Sequence, residues 1–217
     1  DVAIQNLKVM FVADRAGLVE DGPTHSGVFD ISFSRIVPNI IVMVPSSEST
    51  LKEMLDLGYS HDGPSIVRYP RGVPENKSKE AKVELGKGAL LVEGKKVAIL
   101  NFGALINEAR EAANQENYSL ADMRFVKPVD QELIKKLSST HELLVTLEEN
   151  TLLGGAGSAV LEVISSNEIE IKTMSIAIPD SFIQQDSPNK MREVSGLTRD
   201  QILGAIGSKL TEISNPC

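Results

Sequence analysis

The sequence predicts an α/β fold built on parallel strands and divided into two successive blocks. Three observations carry that reading. Short apolar runs alternate with longer amphipathic stretches, the signature of strands joined by helices. Runs such as Val9-Met10-Phe11-Val12-Ala13 and Asn39-Ile40-Ile41-Val42-Met43-Val44 are apolar on both faces, which suits strands of a covered parallel sheet. Residues 73–84 (VPENKSKEAKVE) are polar and charged, so a linker over 73–85 separates residues 1–72 from residues 86–217.

In the first block, residues 9–14 read as a strand, followed by a charged loop and a helix beginning over 29–36. Residues 39–44 form a second strand, closed by Pro45. Ser49 or Thr50 caps a helix through Leu51, Met54, Leu55 and Leu57. The turn His61-Asp62-Gly63-Pro64 leads to a third strand over 65–69. In the second block, strands are expected over 88–92, 96–100, 119–122, 143–148 and 171–176. Helices are expected over 105–115, 131–137 (capped by Asp130), 155–165 and 198–210. Thr198 caps the last of these, which carries Ile202, Leu203, Ile206 and Leu210 on one face.

Bulk properties narrow the function. The net charge is −8 and no basic cluster stands out, which argues against a nucleic-acid partner. No apolar run is long enough to span a bilayer, and no signal segment opens the chain. The only cysteine is Cys217, which fits a reducing, cytoplasmic compartment. The chain opens without a methionine and reaches a buried-type strand within ten residues, so it reads as starting inside a domain.

The segment from Asp14 to Asp30 (DRAGLVEDGPTHSGVFD) concentrates the chemistry. A charged, glycine-broken loop at the carboxyl end of a parallel strand is where open α/β sheets bind ligands. His25 follows Asp21 by four residues there, and a histidine so placed can move protons near neutral pH. Turn chemistry at Asp21-Gly22-Pro23 is the alternative, and the neighbouring Arg15 favours function. Arg15 and Arg71 end two strands, and an arginine fork fits phosphate or carboxylate. On residues alone, an ion pair with a nearby acid is an equal reading for both, and it is the preferred one for Arg68. Gly154-Gly155-Ala156-Gly157-Ser158 lacks the spacing of a phosphate loop and reads as close packing. Glu148-Glu149-Asn150 has no histidine or further carboxylate at ligand spacing, so no metal site is expected. His61 and His141 read as solvated turn residues.

Taken together, DRAGLVEDGPTHSGVFD, PNIIVMVPSSE and GPSIVRYPRG resemble the later part of the 1-deoxy-D-xylulose-5-phosphate synthase family, a group of transketolase-like thiamine-diphosphate enzymes. The strings VAILNFG, DMRFVKP, VTLEEN and GGAGS resemble that family's carboxy-terminal domain. The resemblance implies that 1–72 is the later part of a pyrimidine-binding domain and 86–217 a transketolase C-terminal-like domain. It implies condensation of pyruvate, with decarboxylation, onto glyceraldehyde 3-phosphate, for isoprenoid, thiamine and pyridoxal precursors.

By the same resemblance, His25 and Asp21 are catalytic, and Arg15 and Arg71 bind the acceptor's phosphate. Thiamine diphosphate and Mg2+ belong to the complete enzyme and are held mainly by an amino-terminal portion absent here, on the same or a separate chain. A homodimer is implied. Two departures from the family are visible: the loop between Gly17 and Asp21 is one residue short, and Phe182-Ile183-Gln184-Gln185-Asp186 lacks the usual proline and glycine. A split transketolase-like subunit for another sugar phosphate, and a non-catalytic docking module, are the alternatives.

Overall fold

The structure, a computed structural model, describes residues 1–72 and 82–215. The expected linker thus lies outside the described residues over 73–81. In chain order the elements of the first block are β1 Met10–Ala13, α1 Asp30–Arg35, β2 Ile41–Met43, α2 Glu48–Ser60 and β3 Ser65–Arg68. The second block contributes β4 Ala89–Val92, β5 Val97–Phe102, α3 Ile106–Glu116, β6 Ser119–Asp122, β7 Phe125–Lys127, α4 Gln131–Ser138, β8 Leu143–Thr151, α5 Ala156–Ser166, β9 Lys172–Ile178, α6 Pro188–Val194 and α7 Arg199–Ser214.

Two sheets result, with orders β1-β3-β2-β7 and β4-β6-β5-β8-β9. Among the described residues, the named strands pair in parallel except β7 with β2 and β4 with β6. The α/β class with parallel sheets therefore holds, with an antiparallel strand added at one edge of each sheet. The strand β7 escaped the sequence reading because three residues give no periodicity. Its position matters: it belongs to the second block by sequence but completes the first block's sheet.

Side chains on β5 alternate between two cores, as the two-residue period of a strand requires. Val97 and Ile99 face a core with α3 and α7, which also takes in Leu18 and Val28 from the charged loop. Ala98, Leu100 and Phe102 face a second core that contains Ile31, Val42 and Val44 of the first block and Ala156 and Val160 of α5. The blocks therefore share one interior. A third, smaller core joins Met43, Met54, Val67 and Phe125 across the other face of the first sheet.

Helix ends follow their chemistry, with one correction. The cap of α2 is Ser47, not Ser49 or Thr50; Ser47 Oγ accepts from the Thr50 N–H, and Thr50 Oγ1 accepts from the Ser47 N–H. Asp130 caps α4 by accepting from the Leu133 N–H, as the sequence predicts. Thr198 caps α7, its N–H donating to Gln201 Oε1. The helix α6 was not foreseen, although Ser187 followed by Pro188 is a legible start: a capping hydroxyl and a proline at the first helical position. Among the described residues, no helix is long and apolar enough to cross a membrane.

Candidate functional site at the rim of the first sheet

The site grows from two neighbouring parallel strands. β1 and β3 pair in register with Ala13 opposite Arg68, so Asp14-Arg15 and Tyr69-Pro70-Arg71 leave the sheet side by side at its carboxyl edge. The ladder continues past the strands: the Tyr69 N–H donates to Ala13 O, and the Ala16 N–H to Tyr69 O. Arg15 then adopts φ 55°. A left-handed non-glycine residue costs on the order of 1 kcal/mol, and such strain collects at working sites.

Beyond Arg15 the loop folds on itself. The Gly27 N–H donates to Arg15 O and the Gly17 N–H to Gly27 O, closing the loop at its base. Ser26 Oγ accepts from the Val19 N–H and donates to Gly22 O. A tight turn, closed by the Gly22 N–H on Val19 O, carries Glu20 and Asp21 at its tip.

That turn delivers two carboxylates to two guanidinium groups. Asp21 Oδ2 lies 3.7 Å from Arg15 Nη1 and 3.6 Å from Arg71 Nη1, and Glu20 Oε1 lies 2.5 Å from Arg71 Nη1. Arg15 and Arg71 also line an open cleft of about 410 Å3 with Asp14, Tyr69, Pro70 and Gly72. The structure thus gathers Arg15, Arg71 and Asp21, adding Glu20, which the sequence reading did not single out. The exposed ring of His25 lies on the same loop, with Nδ1 3.0 Å from Thr24 Oγ1. The recorded partners of Asp21 are the two arginines rather than that ring.

A second polar constellation lies beneath the loop and is buried. Glu148, Glu149 and Asn150 end β8, and each side chain has its own task. Glu148 accepts the N–H groups of Ala156 (2.7 Å) and Gly157 (2.8 Å) at the start of α5. This is why the glycine-rich stretch packs closely: a Cβ at Gly155 would collide with the Glu148 carboxylate, which already fills the helix N-terminus. Burial pushes the Glu148 carboxyl up to about 7, against the pull of those two N–H donors and of Arg68 and Arg35.

Glu149 Oε1 accepts from Arg192 Nε of α6 at 2.8 Å, and Arg192 Nη1 reaches Glu108 of α3 at 3.2 Å. The other carboxylate oxygen, Glu149 Oε2, lies against Gly17, which at φ 78° and with no Cβ is the residue that fits there. Burial raises the Glu149 carboxyl, and Arg192 opposes it. Asn150 Oδ1 accepts the Ile31 N–H at the start of α1, while its Nδ2 donates to Ser32 Oγ and Thr151 O.

Arg68 completes this lower layer. Its Nη2 donates to Gly27 O (2.6 Å) and Glu149 O (2.8 Å), and its Nε sits 3.4 Å from Asp30 Oδ2, an ion pair without good hydrogen-bond alignment. Burial lowers its proton affinity, and Asp30, Glu149 and Glu148 oppose that. The ion-pair reading of Arg68 is therefore right. His141 is a correction: its ring is not simply solvated but bridges Ser119 Oγ (2.8 Å, from Nε2) and Leu137 O (3.0 Å, from Nδ1). Sequence reasoning passed over Glu20 and Arg192. Adjacency to Asp21 was the one signal for Glu20, and nothing local marks Arg192.

The segment after β9 closes one side of the loop. Phe182 meets Phe29 edge to face with centroids 6.3 Å apart, and Gln185 packs on Gly22.

Comparison with known proteins agrees with this architecture. The sequence profile of the transketolase pyrimidine binding domain matches residues 1–75, and that of the transketolase C-terminal domain matches residues 86–202. A 1-deoxy-D-xylulose-5-phosphate synthase of Hahella chejuensis is 45% identical over 99% of this chain and 34% of its own length. The synthase of Hamiltonella defensa is 49% identical over 91% of this chain and 32% of its own length. The chain thus spans about a third of the curated relatives it matches.

Among solved structures, a split gene transketolase, described as an inactive beta4 tetramer, superposes with TM-score 0.88 and 31% identity, over 97% of this chain and 69% of that one. Transketolase from Campylobacter jejuni shares the fold, at TM-score 0.76 and 18% identity. The chain belongs to the transketolase family, carries its pyrimidine-binding and C-terminal domains, and has 1-deoxy-D-xylulose-5-phosphate synthases as relatives at 45–49% identity.

Proposed function

We propose that these residues are the acceptor-binding segment of a 1-deoxy-D-xylulose-5-phosphate synthase, which joins a two-carbon unit from pyruvate to glyceraldehyde 3-phosphate. One observation carries this beyond the family assignment. Arg15 and Arg71, remote in sequence, converge on one carboxylate oxygen of Asp21 beside an open cleft at the carboxyl edge of a parallel sheet. Two guanidinium groups so placed suit a phosphate monoester, and fixing a remote phosphate aligns the aldehyde for carbon–carbon bond formation.

In this reading Arg15 and Arg71 hold the phosphate. Asp21 keeps the two guanidinium groups poised and takes a hydroxyl of the acceptor. His25, on the same loop, hydrogen-bonds the reacting oxygen and transfers its proton. The ion pairs beneath, through Arg68, Glu149 and Arg192, keep the loop in place.

The described residues do not fit the diphosphate and Mg2+ of the family's cofactor. No three His, Cys, Asp or Glu side chains among them converge at metal-binding range, and the N-terminus of α5 is filled by Glu148. We assign thiamine diphosphate and Mg2+ to polypeptide outside these 217 residues, and read the assembled enzyme as a cytoplasmic homodimer. The split gene transketolase supports a second form of this proposal, in which the chain is a separate subunit completed by a partner polypeptide.

The test is reconstitution with that amino-terminal complement and thiamine diphosphate, with product detected from 13C-pyruvate and a panel of aldehydes. Preference for glyceraldehyde 3-phosphate over its unphosphorylated form, lost in Arg71→Ala, is expected. Equal use of both aldehydes removes the phosphate assignment, and preference for another sugar phosphate selects the alternative substrate.

A further inference from the structure

We propose that Glu20 is a built-in counter-ion of the arginine fork, one that the incoming phosphate must displace, so that this residue sets the acceptor's affinity. The inference rests on the phosphate-binding reading of Arg15 and Arg71. The contact of Glu20 Oε1 with Arg71 Nη1, at 2.5 Å, is the shortest in the cluster, and Asp21 Oδ2 lies 3.6 Å from the same nitrogen. The turn closed by Gly22 N–H on Val19 O places both acids at its tip, so the backbone aims consecutive carboxylates at a single guanidinium.

The charges decide which acid yields. Counting Asp14, which lines the same cleft, three carboxylates face two arginines, so a phosphate dianion meets no net attraction until a carboxylate withdraws. Asp21 is held by both arginines and Glu20 by Arg71 alone. The Glu20 and Arg71 side chains are 43% and 57% exposed, so water can take over their contact at little cost. Glu20 is therefore an affinity-setting residue that does not touch the reacting atoms.

The test measures binding of inorganic phosphate and of glycerol 3-phosphate to the full chain by calorimetry, for the parent, Glu20→Gln, Arg71→Ala and the double variant. The expected result is binding about three- to fivefold tighter in Glu20→Gln, the range of one exposed ion pair. That gain should vanish when Arg71 is alanine. Weakening by Arg71→Ala without tightening by Glu20→Gln overturns the role of Glu20 and leaves the fork intact. A gain that persists undiminished in the double variant also overturns it, because the effect is then general charge. Binding indifferent to Arg71, or absent in all four proteins, overturns the fork and this inference with it. In the reconstituted enzyme, Glu20→Gln is expected to lower KM for the acceptor and leave kcat unchanged.

Discussion

Acid–arginine pairs occur in two settings in this molecule, one at the tip of the loop after β1 and one beneath that loop. At the rim, Arg15, Arg71, Glu20 and Asp21 are all partly exposed. Beneath them, Arg68, Glu148 and Glu149 are buried, with Arg192 mostly covered, and every carboxylate there also receives backbone or guanidinium donors. Solvent separates their roles. Exposed pairs are worth about 0–1 kcal/mol and exchange readily for a ligand. A buried pair that loses one partner leaves the other unpaired, at a cost of roughly 3–5 kcal/mol. The upper layer is built to open and the lower layer to stay shut.

Substitutions can break or sharpen this contrast. The largest stability loss is expected for Arg68→Met, which removes donors to Gly27 O and Glu149 O and strands Asp30: roughly 3–5 kcal/mol, read from the urea midpoint. A loss under about 1 kcal/mol would mean the lower layer is no different from the rim. Next comes Gly17→Ala, which adds a Cβ against Glu149 at a left-handed position and should cost about 2–3 kcal/mol. His25→Ala should leave that midpoint within about 0.5 kcal/mol, since the ring is exposed, and lower kcat of the reconstituted enzyme on the order of a hundredfold.

The pH dependence discriminates further. The Glu148 carboxyl is raised to about 7, above its unfolded value of 4.5. Between those values the folded state holds a proton that the unfolded state has released, so stability should fall as pH rises from about 5 to 7. Glu148→Gln should flatten that slope while losing part of the α5 cap, and an unchanged slope would place the titration elsewhere. The smallest effect is expected for Arg71→Ala: unchanged stability and an acceptor KM raised about tenfold, read from initial rates.

Much of this was legible in advance because it is local. Strand alternation, the caps Asp130 and Thr198, and the loop carrying Arg15, Asp21 and His25 all follow from neighbouring residues. The start of α6 and the Ser47 cap of α2 were legible locally and passed over, but the other misses share a cause that no local pattern holds. β7 is a strand only because β2 lies beside it, and Glu148, Glu149 and Asn150 took their roles from α5, α6 and α1, which sequence spacing does not bring together.

By itself the sequence determined the α/β class, the succession of its principal strands along the chain and which residues the loop after β1 carries, because periodicity and turn chemistry act over a few residues. Only the tertiary structure decided which acid meets which arginine, and whether in water or out of it. Those partners come from separate elements, as Glu108 of α3 and Arg192 of α6, 84 positions apart, show. Burial, which sets the worth of each pair, exists only once the sheets and helices have closed around it.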